Sequence, residues 1–164
     1  NLFIFKMKVI CSIKINTSKK SVLKLIRSPS NLEKFHPYCK QNKIEIWDES
    51  KSIDWVHYYS GKSYKRIFKE WNDSGYILDI FEDRKLATIM WEVIENDKNV
   101  SMNLVAIPYL PYKYKIINLI VFHLFVKFTL RNYLNSVLKG LKYHIETKNV
   151  VHMDQFGKHI WYSS

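Results

Sequence analysis

Residues 114–147 read YKIINLIVFHLFVKFTLRNYLNSVLKGLKYHIET. The first half, Ile116 to Leu130, is apolar nearly all round, interrupted by Asn118, His123 and Lys127. From Leu130 onward it turns amphipathic. Leu130, Leu134, Val137, Leu138, Leu141 and Ile145 share one side, while Arg131, Asn135, Lys139, Lys142 and Glu146 take the other. This spacing predicts one long helix from Tyr114 to Thr147. Gly140 in its middle costs up to about 1 kcal/mol against alanine, so a close approach of sheet or ligand is expected there. The fifteen residues Ile116 to Leu130 rise only about 22 Å, short of a hydrocarbon core of about 30 Å. They are expected not to span a membrane, but to form core or a lid that touches lipid. His123 and Lys127, one turn apart on a shared face, are candidates to line a cavity or reach headgroups.

Upstream of this helix the periodicity is that of strands. Met7 to Asn16 alternates Val9, Cys11, Ile13 and Ile15 against polar neighbours, a half-buried strand. Thr17 or Ser18 can cap a helix whose apolar side is Val22, Leu23, Leu25 and Ile26. Ser28-Pro29-Ser30 ends it, and a second short helix runs to Phe35, stopped by His36-Pro37. Six strand candidates follow: 43–48, 53–60, 63–71, 76–82, 86–95 and 100–108. Their short connections make the sheet antiparallel, since a parallel crossover needs roughly a dozen residues or more. A long helix after such a ladder implies a curved antiparallel sheet wrapped around it, with room for a cavity between the two.

Turn arithmetic predicts the cavity wall. A two-residue turn at Gly61-Lys62 sets Tyr59 opposite Tyr64, His57 opposite Arg66 and Trp55 opposite Phe68, all on the inner side. Asp54, Val56 and Tyr58 then face solvent. Pairing Trp71 with Tyr76 carries Asp79 inward, diagonal to Arg66, where the two charges can meet. A three-residue turn after the next strand is preferred to a two-residue one. It buries Ile89, Trp91, Val93, Met102 and Leu104 rather than Thr88 and Glu92. The expected ligand-binding set is Trp55, His57, Tyr59, Tyr64, Arg66, Phe68, Asp79 and Trp91. An Arg66–Asp79 pair that merely satisfies itself within the sheet is the competing expectation.

Composition bounds the class. The 164 residues, 47% hydrophobic and 25% charged, suit one globular domain over residues 7–164. Met7 is a candidate start, which would make residues 1–6 vector or upstream sequence; they lack the features of a signal peptide. A net charge of +11 admits an anionic membrane surface as partner. Twenty-two spread lysines against four arginines read first as a solvated surface and disfavour nucleic acid, whose bidentate contacts prefer arginine. Two cysteines make no disulfide framework and fit a reducing, cytoplasmic compartment, with the membrane periphery as an alternative. The six histidines show no zinc spacing, and there is no phosphate loop or nucleophile elbow. No metal, cofactor or catalytic residue is therefore assigned, and oligomeric state is left open.

The order of strand, two short helices, antiparallel ladder and long C-terminal helix resembles the START-like, or polyketide cyclase and lipid-transport, superfamily. The resemblance runs from Met7 to about Thr147. It is carried by Ile13–Val22, Asn31-Leu32-Glu33-Lys34-Phe35-His36-Pro37, Tyr64-Lys65-Arg66 and Leu134–Glu146 with Gly140-Leu141. The tail Asp154 to Trp161 is similar to endings of small members. The resemblance implies an α+β helix-grip fold, about seven curved antiparallel strands around the C-terminal helix, with a hydrophobic cavity beneath that helix. It implies binding of lipids, sterols, polyketides or other apolar molecules, and in some members cyclase or dehydratase activity. The apolar run Ile116–Phe128 departs from the family plan. The first expectation is a binding or transport protein for an apolar small molecule or lipid, rather than an enzyme. The second is a cyclase- or dehydratase-like enzyme using His57 or Asp79 as base, and the third a membrane-surface protein held by the 116–128 helix.

Overall fold

The structure is a computed structural model, and it describes residues 7–164. Strand β1 (Val9–Ile15) leads into helix α1 (Lys19–Ile26), capped by Ser18, whose hydroxyl accepts from the Ser21 amide at 3.2 Å. Helix α2 (Leu32–Phe35) follows, and then β2 (Cys39–Ile46), β3 (Ile53–Tyr58), β4 (Ser63–Asn72), β5 (Gly75–Phe81), β6 (Lys85–Glu95) and β7 (Val100–Pro108). All pairings are antiparallel, in the order β1-β7-β6-β5-β4-β3-β2. Helix α3 (Lys115–Val121), a π turn (Phe122–Val126) and α4 (Lys127–Thr147) run on without a break. The helix expected over 114–147 and every expected strand are present, β2 beginning four residues earlier than its spacing suggests.

Two irregularities decide which side chains face the helix. The β3–β4 loop is Tyr59-Ser60-Gly61 rather than Gly61-Lys62. Tyr58 donates its amide to the Lys62 carbonyl (2.8 Å), and the Gly61 amide returns to the Tyr58 carbonyl (3.0 Å). Gly61 sits at φ +88°, the left-handed position such a loop needs and glycine takes at least cost. The resulting register pairs Asp54 with Arg66 and Val56 with Tyr64. It differs from the two-residue-turn register by an odd number of residues, so β3 presents its other face. In β4, a bulge between Phe68 and Glu70 sets Phe68 opposite Leu78 and Ile67 opposite Asp79, although Trp71 still pairs with Tyr76. That one extra residue turns Asp79 away from the helix. The β5–β6 turn opens as a three-residue one, with Phe81 opposite Lys85, but a bulge between Ile80 and Phe81 returns the rest of the ladder to the two-residue register, Asp79 opposite Thr88 and Tyr76 opposite Trp91. Trp91, Val93, Met102 and Leu104 are buried as expected because β5 presents Tyr76 and Leu78, not Asp79, to the helix.

Helix α4 lies along the β1 side of the sheet, where Lys142 Nζ donates to the Lys14 carbonyl at 2.7 Å and the Asn16 amide to Glu146 at 3.0 Å. Its buried stripe is the expected one, Leu130, Leu134, Val137, Leu138, Leu141 and Ile145, with Ser136 and Gly140 added. Gly140 meets the end of α2 rather than the sheet. A Cβ there would stand 2.0 Å from the Phe35 carbonyl oxygen, so the helix needs glycine to pass the end of α2.

Candidate functional site

Between the helix and strands β3–β7 lies a cavity of about 310 Å³. Its apolar walls come from Val56 on β3, Leu78 and Ile80 on β5, Ile89 and Trp91 on β6, Leu104 on β7, and Val126, Leu130, Leu134 and Val137 on the helix. Lys62, Arg84, Tyr109 and Leu110 also line it. The β3–β4 turn, the β5–β6 turn and the end of β7 fall at one end of an antiparallel sheet, so these residues mark the cavity's mouth.

Of the expected site residues, Tyr64, Arg66 and Trp91 line this cavity. Phe68 faces the same way but is core, edge-on to Tyr76 at 5.0 Å between centroids and under the Arg66 guanidinium. Trp55, His57 and Asp79 are on the opposite face, and Tyr59 is in the loop. Trp55 bonds Glu45 through Nε1 (3.0 Å), and His57 Nδ1 is 2.7 Å from the Ser63 hydroxyl. Asp79 is held by Lys85 (2.9 Å), Lys69 (3.7 Å) and the Thr88 hydroxyl (2.7 Å). Burial works against the Asp79 charge, but Lys85 and Thr88 outweigh it and keep the carboxyl below its ordinary range. The expected His57 or Asp79 base is thus directed away from the cavity by the β3 register and the β4 bulge.

Arg66 does have its carboxylate, but it is Asp54. The two are directly opposed in register, buried at 4% and 0% exposure, and joined by two bonds, Nε–Oδ1 at 2.7 Å and Nη2–Oδ2 at 2.5 Å. Asn42 Nδ2 donates to Asp54 Oδ2 at 2.8 Å. Burial opposes the guanidinium's charge, but Asp54 holds it, so Arg66 stays cationic at every ordinary pH. Nε and Nη2 are bonded to Asp54, further N–H groups of the guanidinium remain, and Arg66 lines the cavity.

A second polar group of the cavity escaped the sequence reading. His36, at the end of α2, accepts the Tyr38 amide on Nδ1 (3.2 Å) and lies 2.8 Å from the Tyr133 hydroxyl through Nε2. A backbone amide can only donate, so Nδ1 is unprotonated and the ring's hydrogen is on Nε2, given to Tyr133. Burial, and after it the charge of Arg66, push the His36 pKa down to about 3, so the ring is neutral. The Tyr133 and Tyr58 hydroxyls stand 3.0 Å apart. One hydrogen bond joins them and uses one hydrogen. The other phenolic hydrogen has no protein acceptor among the described residues. Both phenols are held well above their ordinary pKa, chiefly by burial, and so remain protonated donors.

The C-terminal tail completes the wall. Tyr162 stacks on Tyr58 with centroids 4.3 Å apart, its carbonyl accepts from the Ser60 amide (3.1 Å), and Trp161 lines the cavity beside it. Tyr133 falls on the stripe Leu130, Leu134, Val137 at helical spacing, which is the signal that could have found it. Nothing local signals Tyr162, whose place depends on how the tail folds back.

No family model matches this chain, and no curated protein matches it. Solved structures do. It is similar to DynU16, a protein of the dynemicin biosynthetic locus, with a TM-score of 0.66 at 7% identity over 87% of this chain. The chain spans about half, 48%, of that protein's length. KanY gives a TM-score of 0.65 at 16% identity, over 85% of this chain and 97% of KanY. TTHA0849 from Thermus thermophilus gives 0.65 at 15%, over 86% and 98%. Likeness at such low identity shows the fold alone, and that fold is the α+β helix-grip arrangement, a curved antiparallel sheet of seven strands on a long C-terminal helix.

Proposed function

We propose that this chain binds a compact apolar molecule, aromatic or short-chain, that carries an oxygen acceptor such as a carbonyl, phenolate or carboxylate at one end. The observation that carries this reading is the cavity's polarity. Its walls are aliphatic and aromatic, and among the described residues no aspartate or glutamate lines it. Its polar groups are donors or cations: the Arg66 guanidinium, one hydrogen of the Tyr58–Tyr133 pair, and Lys62 and Arg84 at the mouth. A volume of 310 Å³ is at the small end of ligand pockets, about 300–1,000 Å³, which favours a ring system or short acyl chain over a two-chain lipid.

The test is a titration with an anionic naphthalene fluorophore, beside native mass spectrometry of the protein as purified. Ala87, which lines the cavity near its mouth, is replaced by tryptophan as a plug. Saturable binding to wild type that Ala87→Trp abolishes, at unchanged melting temperature, is the expected result. Binding that survives the plug would place the probe elsewhere and sink the proposal.

A second reading, acid–base chemistry in the same cavity, is favoured by the His36–Tyr133–Tyr58 chain, which offers a phenolic proton to an acceptor held by Arg66. In this reading Tyr58 and Tyr133 take the place of His57 and Asp79. Turnover of a 1,3-diketone substrate, lost in Tyr58→Phe while binding is retained, would support it. Absence of any turnover in wild type leaves the binding reading alone.

A further inference from the structure

Leu110 and Val126 both line the cavity, and the chain between them runs through the apolar part of the long helix. Phe122 of this segment is buried and belongs to the core, but most of its other apolar side chains are not buried. Ile116, Ile120, Leu124 and Phe128 are 63%, 51%, 62% and 58% exposed, and they recur every four residues along one side. Phe125, 66% exposed, flanks the row. The π turn at Phe122–Val126 holds more residues per turn than the α-helix, so it lowers the rotation per residue and keeps the row facing one way. A contiguous apolar face of this kind on a folded chain marks an interaction site.

Charge indicates what covers it. No aspartate or glutamate occurs from Lys98 to Ile145, a stretch that contains the whole face. Lys113 and Lys115 stand exposed at the start of the helix, Lys127 lies within it, and Lys62 and Arg84 are exposed at the mouth. None of the described helices is long and apolar enough to cross a membrane. Glu82 and Asp83 are exposed beside Arg84 at the mouth, but the only charged side chains along the helix face itself are lysines, and such a face fits the boundary of an anionic bilayer, lying in its plane. We infer that residues 114–128 dock this protein on an anionic membrane surface, with the cavity mouth turned toward the lipid. Docking does not require a ligand in the cavity, so its test is independent of the binding reading above.

The experiment is flotation of the full chain with vesicles of phosphatidylglycerol and phosphatidylcholine, against phosphatidylcholine alone, at low and high salt. Leu124→Ser/Phe125→Ser serves as the variant, and its melting temperature reports that exposed positions were changed without harm to the fold. Wild type is expected to float with the anionic vesicles and to lose roughly fivefold in partition for each cation screened by salt. The variant is expected to lose about tenfold or more. Failure to float with anionic vesicles at low salt overturns the inference, as does flotation unchanged in the variant. A concentration-dependent dimer that the variant dissolves, without vesicle binding, also overturns it and assigns the face to a second copy.

Discussion

Acidification from pH 7.5 to 4.5 should destabilise this protein through His36, by an amount the structure allows to be worked out. The buried ring has a pKa near 3, against an ordinary value of 6.5. Above pH 6.5 it is neutral in both the folded and unfolded chain and contributes no slope. Below that, the unfolded chain takes up a proton that the folded chain refuses until about pH 3. The unfolded state therefore binds more protons, and stability falls as pH drops through this window. At about 1.36 kcal/mol per unit, the two units from 6.5 to 4.5 amount to about 2.7 kcal/mol. Other groups titrate over the same range, so the comparison is with His36→Asn. Its amide oxygen can accept the Tyr38 amide, and it cannot be charged. The variant loses the bond to Tyr133 and should be about 1–2 kcal/mol less stable at pH 7.5. Urea unfolding measured at half-unit steps should show the two stability curves converging below pH 6.5 and crossing before pH 4.5. Parallel curves across the whole range would refute the buried neutral ring.

Three further outcomes follow from packing and charge. Asp54→Ala leaves the buried Arg66 uncompensated and should cost about 3–5 kcal/mol by urea unfolding, whereas Asp54→Leu/Arg66→Met should recover most of that loss; equal loss in both would mean the cost lies in packing. Gly140→Ala drives a methyl into the Phe35 carbonyl, 2.0 Å away, and should lower stability by about 1–3 kcal/mol or more, read as a melting temperature several degrees down. Cys39, buried and with its thiol pushed up to about 12, should resist a maleimide in native buffer and react on unfolding. Rapid native labelling at Cys39 would show that α2 and β2 open locally.

The fold was legible because its signals are long and redundant. A 3.6-residue stripe from Leu130 to Ile145 and period-two strands over 53–108 each repeat the same message many times. The inner face of β6 was legible from its own alternation of Ile89, Trp91 and Val93 with Thr88 and Glu92, although the register that delivers it comes from a bulge beside Phe81 and from the reversed face of β5. The face of β3 was not, because it hangs on one turn. Gly61-Lys62 and Tyr59-Ser60-Gly61 are both reasonable loops for this stretch, and they differ by an odd register shift. Alternation could not arbitrate: Trp55, His57 and Tyr59 on one face look no less suited to a cavity than Val56 and Tyr58 on the other. Asp54 decided it in the folded chain by meeting Arg66, a pairing between strands that periodicity does not express. Asp79 was misplaced by the bulge near Lys69, for which β4 carries no glycine or other local mark. His36 was visible as a helix stop before Pro37, but its neutrality depends on Tyr38, Tyr133 and Arg66 closing around it.

The Arg66–Asp54 pair also separates what the cavity needs from what the fold needs. Two opposed inward positions on adjacent strands could be filled by leucine and methionine at little or no loss of stability, since a buried ion pair roughly repays its own desolvation. Stability alone therefore gives no reason for a guanidinium there. Position does: Asp54 occupies Nε and Nη2 and thereby fixes a charged, rigid group that lines the cavity. Asn42 in turn fixes Asp54, bonding its Oδ2 and the Trp55 carbonyl from one amide nitrogen. Such an arrangement resembles a pre-set binding group more than a structural staple, because every contact restricts the direction in which Arg66 can donate. If the binding reading is right, Asp54→Leu/Arg66→Met should melt near wild type yet bind a carboxylate-bearing naphthalene about tenfold or more weaker, consistent with loss of a charge-assisted hydrogen bond. A neutral naphthalene should bind the two proteins alike. Equal weakening for both probes would instead make Arg66 a wall of the cavity rather than its donor.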